Sequence, residues 1–135
     1  MRAFVDTNIL VYAYDTRAHE KHKRAKSLID ELWIHRNGVL STQVINEFAW
    51  VLIRKFKLAE NDVIAVLEPL LEWEIGLMTS DILITGLRLK MKHKFSFWDS
   101  LIIQTALTSK CEILYSEDSS HGMKIQDLQM INPFG

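Results

Sequence analysis

Four acids in this chain stand where solubility alone explains them poorly: Asp6, Glu47, Asp99 and Asp118. Asp6 ends the short apolar run Ala3-Phe4-Val5, and Thr7 and Asn8 follow as caps of a helix through Ile9, Leu10, Val11 and Tyr12. A short strand, a cap and a helix open an α/β unit. In open α/β sheets, ligands bind beyond the carboxyl ends of the strands. An anion placed there is suited to holding a cation, although Asp is also an ordinary helix cap.

Glu47 falls on a helix beginning near Gln43, whose apolar arc is Val44, Ile45, Phe48, Val51 and Leu52. At 100° per residue it projects between Val44 and Val51, at the border of that arc. An edge Glu paired with Arg54 is the alternative. Asp99 shares its helix face with Ile102, Ile103 and Ala106. Ser96-x-x-Asp99 matches a capping box, which accounts for an acid there. It does not account for an inward face, since burying an unpartnered carboxylate costs several kcal/mol. Asp118 and its neighbour Glu117 follow the apolar Ile113-Leu114-Tyr115 in a run of small residues, Ser116 through Gly122. Alone, that run reads as a polar turn.

Gathered at one end of a parallel sheet, these carboxylates repel one another and raise each other's pKa. A hard divalent cation with oxygen ligands, Mg²⁺ or Mn²⁺, is the natural compensation. Such a centre works on phosphates by polarising a phosphoryl oxygen, acidifying a bound water and stabilising the leaving oxygen.

The elements that must position these acids alternate. A helix is expected from His19 to His35 with Ala25, Leu28, Ile29 and Leu32 inward, then a turn at Asn37-Gly38 and a strand at Val39–Ser41. Helices follow from Gln43 to Phe56 and from Glu60 to Trp73. The second turns Val63, Val66, Leu67, Leu70 and Leu71 inward and is broken or kinked at Pro69. Ile75–Met78 reads as a strand, Asp81–Met91 and Ser96–Ser109 as helices, Ile113–Tyr115 as a strand, and Lys124–Ile131 as containing a weaker last strand. The alternation predicts one domain, a three-layer α/β/α arrangement around a mostly parallel central sheet.

Composition is consistent with this. The chain has 135 residues, 48% hydrophobic and 24% charged, which suits a single globular domain. No apolar run approaches the length of a membrane span. The N-terminus enters a strand directly, and the one cysteine, Cys111, cannot close an internal disulfide. These features predict a cytoplasmic protein. The net charge of −1 is silent on nucleic acid, but its distribution is uneven. Residues 1–58 carry ten Lys/Arg against six Asp/Glu, and residues 59–135 six against eleven. The acids from Glu60 to Asp81 read as solvated helix faces.

At the four acids the chain resembles the PIN-domain family, and within it the VapC-type toxins of prokaryotic toxin–antitoxin pairs. The matching stretches are Phe4–Leu10, Val44–Phe48, Phe97–Ile102 and Tyr115–Gly122, in the family's order and spread over the chain. The resemblance implies a Mg²⁺- or Mn²⁺-dependent ribonuclease with water as nucleophile. Asp6, Glu47, Asp99 and Asp118 would be its metal-site acids, with Thr7, Asn8, Ser116 and Glu117 in support. It also implies a homodimer silenced by a cognate antitoxin. Whether Glu117 or Asp118 faces the metal is open, and His121 reads as a loop residue. Lys92, His93 and Lys94, and Arg17 through Lys26, are candidate contacts for RNA or antitoxin. Two other readings compete. A haloacid-dehalogenase-like phosphohydrolase wants Asp-x-Asp, and here the third position is Asn8. A metal-free PIN-like binding module predicts the loss of an acid, and all four are present.

Overall fold

The computed structural model describes residues 1–118 and 121–135, so Ser119 and Ser120 of the loop after the fourth acid lie outside the described residues. Strand β1 (Ala3–Val5) is buried at every position. A strand covered on both faces needs a continuous apolar run, and Ala3-Phe4-Val5 supplies it. β1 is central, pairing in parallel with β2 (Gly38–Ser41) on one side and β4 (Ile113–Tyr115) on the other. β3 (Glu74–Gly76) lies parallel beyond β2, and β6 (Leu128–Ile131) parallel beyond β4. β5 (Lys124–Ile125) runs antiparallel to β6, giving the order β3-β2-β1-β4-β6-β5.

Six α-helices connect the strands among the described residues: α1 (Thr7–Tyr14), α2 (Glu20–His35), α3 (Thr42–Arg54), α4 (Glu60–Leu67), α5 (Ser80–His93) and α6 (Phe97–Thr108). α1 packs on α2 and α3, α3 on α4, and α5 on α6. Strands β1, β2 and β3 are laid down in one direction, and the chain then returns past β1 to place β4 on its other side. With right-handed crossovers, that reversal puts α1–α4 on one face and α5–α6 on the other. The result is the expected three-layer α/β/α domain. Its topological switch point falls between β1 and β4, where an open α/β sheet forms a crevice at its carboxyl edge.

Several local expectations need revision. The helix expected from Glu60 to Trp73 ends at Leu67 and passes into a 3₁₀ segment, Glu68–Glu72, containing Pro69. Leu71 is exposed rather than inward, because the tighter winding rotates it off the apolar face. The strand near residue 75 stops at Gly76, leaving Leu77 and Met78 in the open. The turn before β2 is carried by Arg36, at φ 54°, and Gly38 is already in the strand. Gly38 is needed for space, since a Cβ there would lie 2.2 Å from the Trp73 ring, which stacks on Trp33. The last strand is a hairpin, β5–β6, turning at Gln126.

Candidate active site

The crevice at the switch point collects the four acids. Asp6 follows β1 and is the N-cap of α1; its Oδ1 accepts from the Thr7 N–H at 2.7 Å. Its Oδ2 accepts from the hydroxyl of Ser116, 2.7 Å away and just beyond β4. The two central strands thus fix one carboxylate from both sides. Capping and a functional role coexist here, because each oxygen retains a lone pair after its one hydrogen bond.

Glu47 lies in the second turn of α3, half-buried. Its Oε2 accepts from the Thr7 hydroxyl at 2.7 Å and its Oε1 from Gln43 Nε2 at 3.0 Å. The alternative pairing with Arg54 does not form; that guanidinium lies over the Trp50 ring. Gln43 was not singled out in the sequence. The signal was its i−4 spacing from Glu47, which places both on one helix face. Asp118 is exposed, and its Oδ2 accepts from Asn8 Nδ2 at 3.0 Å. Asn8 also receives the Glu117 N–H at 3.3 Å, and Ser116 Oγ receives the Asp118 N–H at 3.2 Å. Asn8 and Ser116 therefore brace Glu117 and Asp118 just beyond β4.

Asp99 differs from expectation. Ser96 caps α6 by accepting from the Asp99 N–H at 3.1 Å. The face is the predicted one, and Ile102, Ile103 and Ala106 are buried, but Asp99 itself is exposed. Helical projection gives a direction and no depth. In the first turn, Asp99 stands past the edge of the sheet and looks into the crevice. Among the described residues, none donates a hydrogen bond to its carboxylate.

Asp6, Glu47, Asp99 and Asp118 all line one open cavity of about 410 Å³, together with Tyr12, Lys55 and Trp98. A smaller crevice of about 60 Å³ adjoins Asp6, Asp99, Asp118, Phe95 and Met130. Burial pushes Asp6 up to about 6, and the charges of Glu47 and Asp99 add to the effect. The bonds from Ser116 and Thr7 oppose it. Among the described residues, none of the four acids has an ion-pair partner, and no three side chains converge closely enough to enclose an ion directly. Lys55 lines the cavity, but its ammonium lies 3.8 Å from Asp15.

Glu117 is placed differently. It receives Lys21 and the Tyr12 hydroxyl, the latter at 2.7 Å. Burial raises its pKa, but together those bonds outweigh burial and hold it below the ordinary value. It does not line the acid cavity, so the geometry favours Asp118 as the acid facing it. Arg17 pairs with Asp15 at 3.1 Å and lies over Phe56. His121 accepts the Asn132 N–H at 2.9 Å, as a loop residue would.

An α/β domain whose acids crowd the switch point of a parallel sheet is a recognisable class. The PIN domain family profile matches residues 3–122, and the chain belongs to that family. No curated protein sequence matches it. Three solved structures show the same fold. A toxin–antitoxin complex from Klebsiella pneumoniae superposes with a TM-score of 0.70 at 20% identity, over 97% of each chain. VapC20 from Mycobacterium tuberculosis, described as a sarcin–ricin-loop-cleaving toxin, gives 0.64 at 18%, over 83% of this chain and 86% of its own. VapBC2 from Rickettsia felis, bound to a fragment of promoter DNA, gives 0.64 at 19%, over 96% and 97%.

Proposed function

We propose that this protein is a metal-dependent endoribonuclease and the toxin of a toxin–antitoxin pair. The observation that carries the reading is the set of four carboxylates that share one cavity and, among the described residues, form no ion pair. An acid whose ionisation is suppressed by burial, with neighbouring carboxylates adding to the effect, is poised for a cation. The donor set fits Mg²⁺ or Mn²⁺: it is all oxygen, and its spread suits an ion that keeps several waters and takes only one or two carboxylates directly. Bound there, the ion would supply Lewis acidity toward phosphorus and lower the pKa of water.

The chain's own residues have separable tasks. Asp6 and Asp99 bring carboxylates from β1 and α6 to the same crevice. Ser116 and Thr7 fix the Asp6 rotamer, and Thr7 with Gln43 fixes Glu47. Asn8 positions Asp118. Asn8 is a carboxamide with no titratable proton, so it cannot supply the general acid of a dehalogenase-type phosphohydrolase, and both ends of its amide brace the loop acids instead.

Support for the toxin reading comes from the folds named above, among them a toxin described as cleaving the sarcin–ricin loop, a toxin–antitoxin complex and VapBC2. A cognate antitoxin is the proposed partner. A homodimer is proposed on the exposed apolar stripe of α5, where Leu83, Ile84, Leu87 and Met91 recur at helical spacing. Among the described residues, no helix is long and apolar enough to cross a membrane. The test is cleavage of a structured RNA pool, tRNA included, with Mg²⁺, with Mn²⁺ and with EDTA. Cleavage with either metal that EDTA abolishes supports the reading. Cleavage insensitive to EDTA, or none from folded, antitoxin-free protein on any RNA, counts against it.

A further inference from the structure

On the far side of Asp99 the charge changes sign. A cavity of about 470 Å³ opens between α5, α6 and the β5 strand. Arg88, Lys92 and His93 of α5 line it, with Gln104 from α6 and Lys124 from β5. Its floor is apolar, formed by the buried Leu89 and Ile125. Among the described residues no carboxylate lines it, Asp127, the nearest acid in sequence to Lys124, included. Among the described residues, Arg88, Lys92 and Lys124 make no salt bridge.

Bases in the last turn of a helix offset its dipole, and that accounts for Lys92 and His93. It does not account for Arg88, a turn earlier, nor for Lys124 on a different element. These side chains are exposed, so solvent screens their mutual repulsion, and gathered from two elements around one cavity they offer an anion several donors at once. Gln126 lines the same cavity in the left-handed region, at φ 52°, where Gly or Asn would sit more easily.

The two cavities are joined by aromatic rings. His93 stacks on Phe95 with ring centroids 5.7 Å apart, and Phe95 lines the small acidic crevice beside Asp6, Asp99 and Asp118. Met130 of β6 lines that crevice too, next to the strand that bears Lys124.

We infer that the Arg88–Lys92–His93–Lys124 cavity binds a backbone phosphate of single-stranded RNA, a few nucleotides from the phosphate held at the acids. This rests on the ribonuclease reading and specifies where the substrate strand runs. RNA suits the whole path. Its phosphates repeat, so one satisfies the bases while another reaches the acids and their cation. A base between them can stack on the His93–Phe95 pair. An acidic peptide would meet the bases equally well, but the acids next to them would repel it. Lys94, in contrast, is the left-handed residue ending α5 and does not line the cavity.

The test separates binding from cleavage. Binding of a labelled single-stranded RNA of about 12 nucleotides is measured by anisotropy from low to high salt, in the full chain carrying Asp99→Asn. Each cation lost from a single-strand contact lowers the log–log salt slope by about 0.7, or about fivefold in affinity at 0.1 M salt. Arg88→Gln with Lys124→Gln is therefore expected to lower the slope by about 1.4 and to weaken binding roughly twentyfold. Lys92→Gln with Lys124→Gln is a second pair in case the first disturbs α5, with melting temperature as the folding check. Lys57→Gln with Lys110→Gln, neither of which lines the basic cavity or the acid cavities, removes the same charge and is expected to change neither quantity beyond a general screening effect. Equal slopes in the cavity and control pairs overturn the inference, as does loss of binding to an Asp/Glu-rich peptide with RNA binding intact. If the parent cleaves RNA and the cavity pair changes nothing, the inference fails and the ribonuclease reading stands. If the cavity pair loses RNA binding in a protein that cleaves no RNA, the inference stands and the ribonuclease reading fails.

Discussion

The two ends of the sheet treat charge in opposite ways. At the amino edge, the Arg2 guanidinium pairs with Glu74 across β1 and β3 and also donates to the Ser109 carbonyl at 2.9 Å. Glu74 is held below its ordinary pKa, first by that hydrogen bond. Close by, Cys111 is buried and its thiol is pushed up to about 11, an inert packing group. At the carboxyl edge, four acids share a cavity and, among the described residues, none is ion-paired, the one lysine of the lining, Lys55, being turned to Asp15, and Asp6 is pushed toward its neutral form. Charge that serves the fold is paired within the chain, whereas charge kept for a ligand is left open. The same contrast divides adjacent residues: Glu117 is spoken for by Lys21 and Tyr12, and Asp118 opens to the cavity.

The contrast is broken most strongly by removing an open acid. Asp6→Asn or Asp99→Asn is expected to lower the rate of metal-dependent RNA cleavage by roughly 10³-fold, the several kcal/mol such a centre supplies. Single-turnover assays at saturating protein measure this. Asp6→Asn should also act on stability with the opposite sign. The folded-state pKa of Asp6 lies near 6, above its ordinary 3.8. Its contribution is therefore fully present below about pH 4 and is lost as pH rises through about 6. At pH 7 to 8 the metal-free protein carries a penalty of about 3 kcal/mol from this group. Asp6→Asn is expected to melt higher than the parent there, and to flatten the dependence between pH 4 and 6. Calorimetric melting across that range without metal is the check.

A smaller effect is expected from the braces. Ser116→Ala removes a buried hydroxyl from Asp6 and should cost about 1–2 kcal/mol, with metal affinity down about 10- to 100-fold. Urea unfolding and Mn²⁺ titration read the two quantities. Smallest of all, Glu74→Gln and Glu117→Gln alter paired acids, so cleavage should stay within about twofold of the parent in side-by-side assays. A large loss in either variant would erase the distinction between open and paired charge.

Much of the site was legible because strand ends and helix faces can be read along the chain. Asp6 after Ala3-Phe4-Val5, and Ser116 to Asp118 after Ile113-Leu114-Tyr115, were placed by the rule that parallel strands point their carboxyl ends at ligands. Glu47 was placed by its position at the border of an apolar arc. Depth was not legible. Asp99 has the predicted direction but stands above the sheet and not within the core. Gly38 was read as a turn because Asn-Gly favours one, whereas the Trp73 ring, 35 residues away, dictates it. Leu71 follows from a 3₁₀ segment that helical periodicity cannot anticipate beyond the break at Pro69. The basic cavity was half-visible at most, for Lys92 meets Arg88 on its own helix, but only folding brings Lys124 to them.

The central claim is that the open acids hold a divalent cation, and calorimetric titration of the full-length protein with Mn²⁺ at neutral pH tests it most directly. The account predicts saturable binding to the parent that is abolished or greatly weakened in both Asp6→Asn and Asp99→Asn, and kept in Glu74→Gln and Glu117→Gln. Equal binding in all of them, or none in the folded parent, would contradict it.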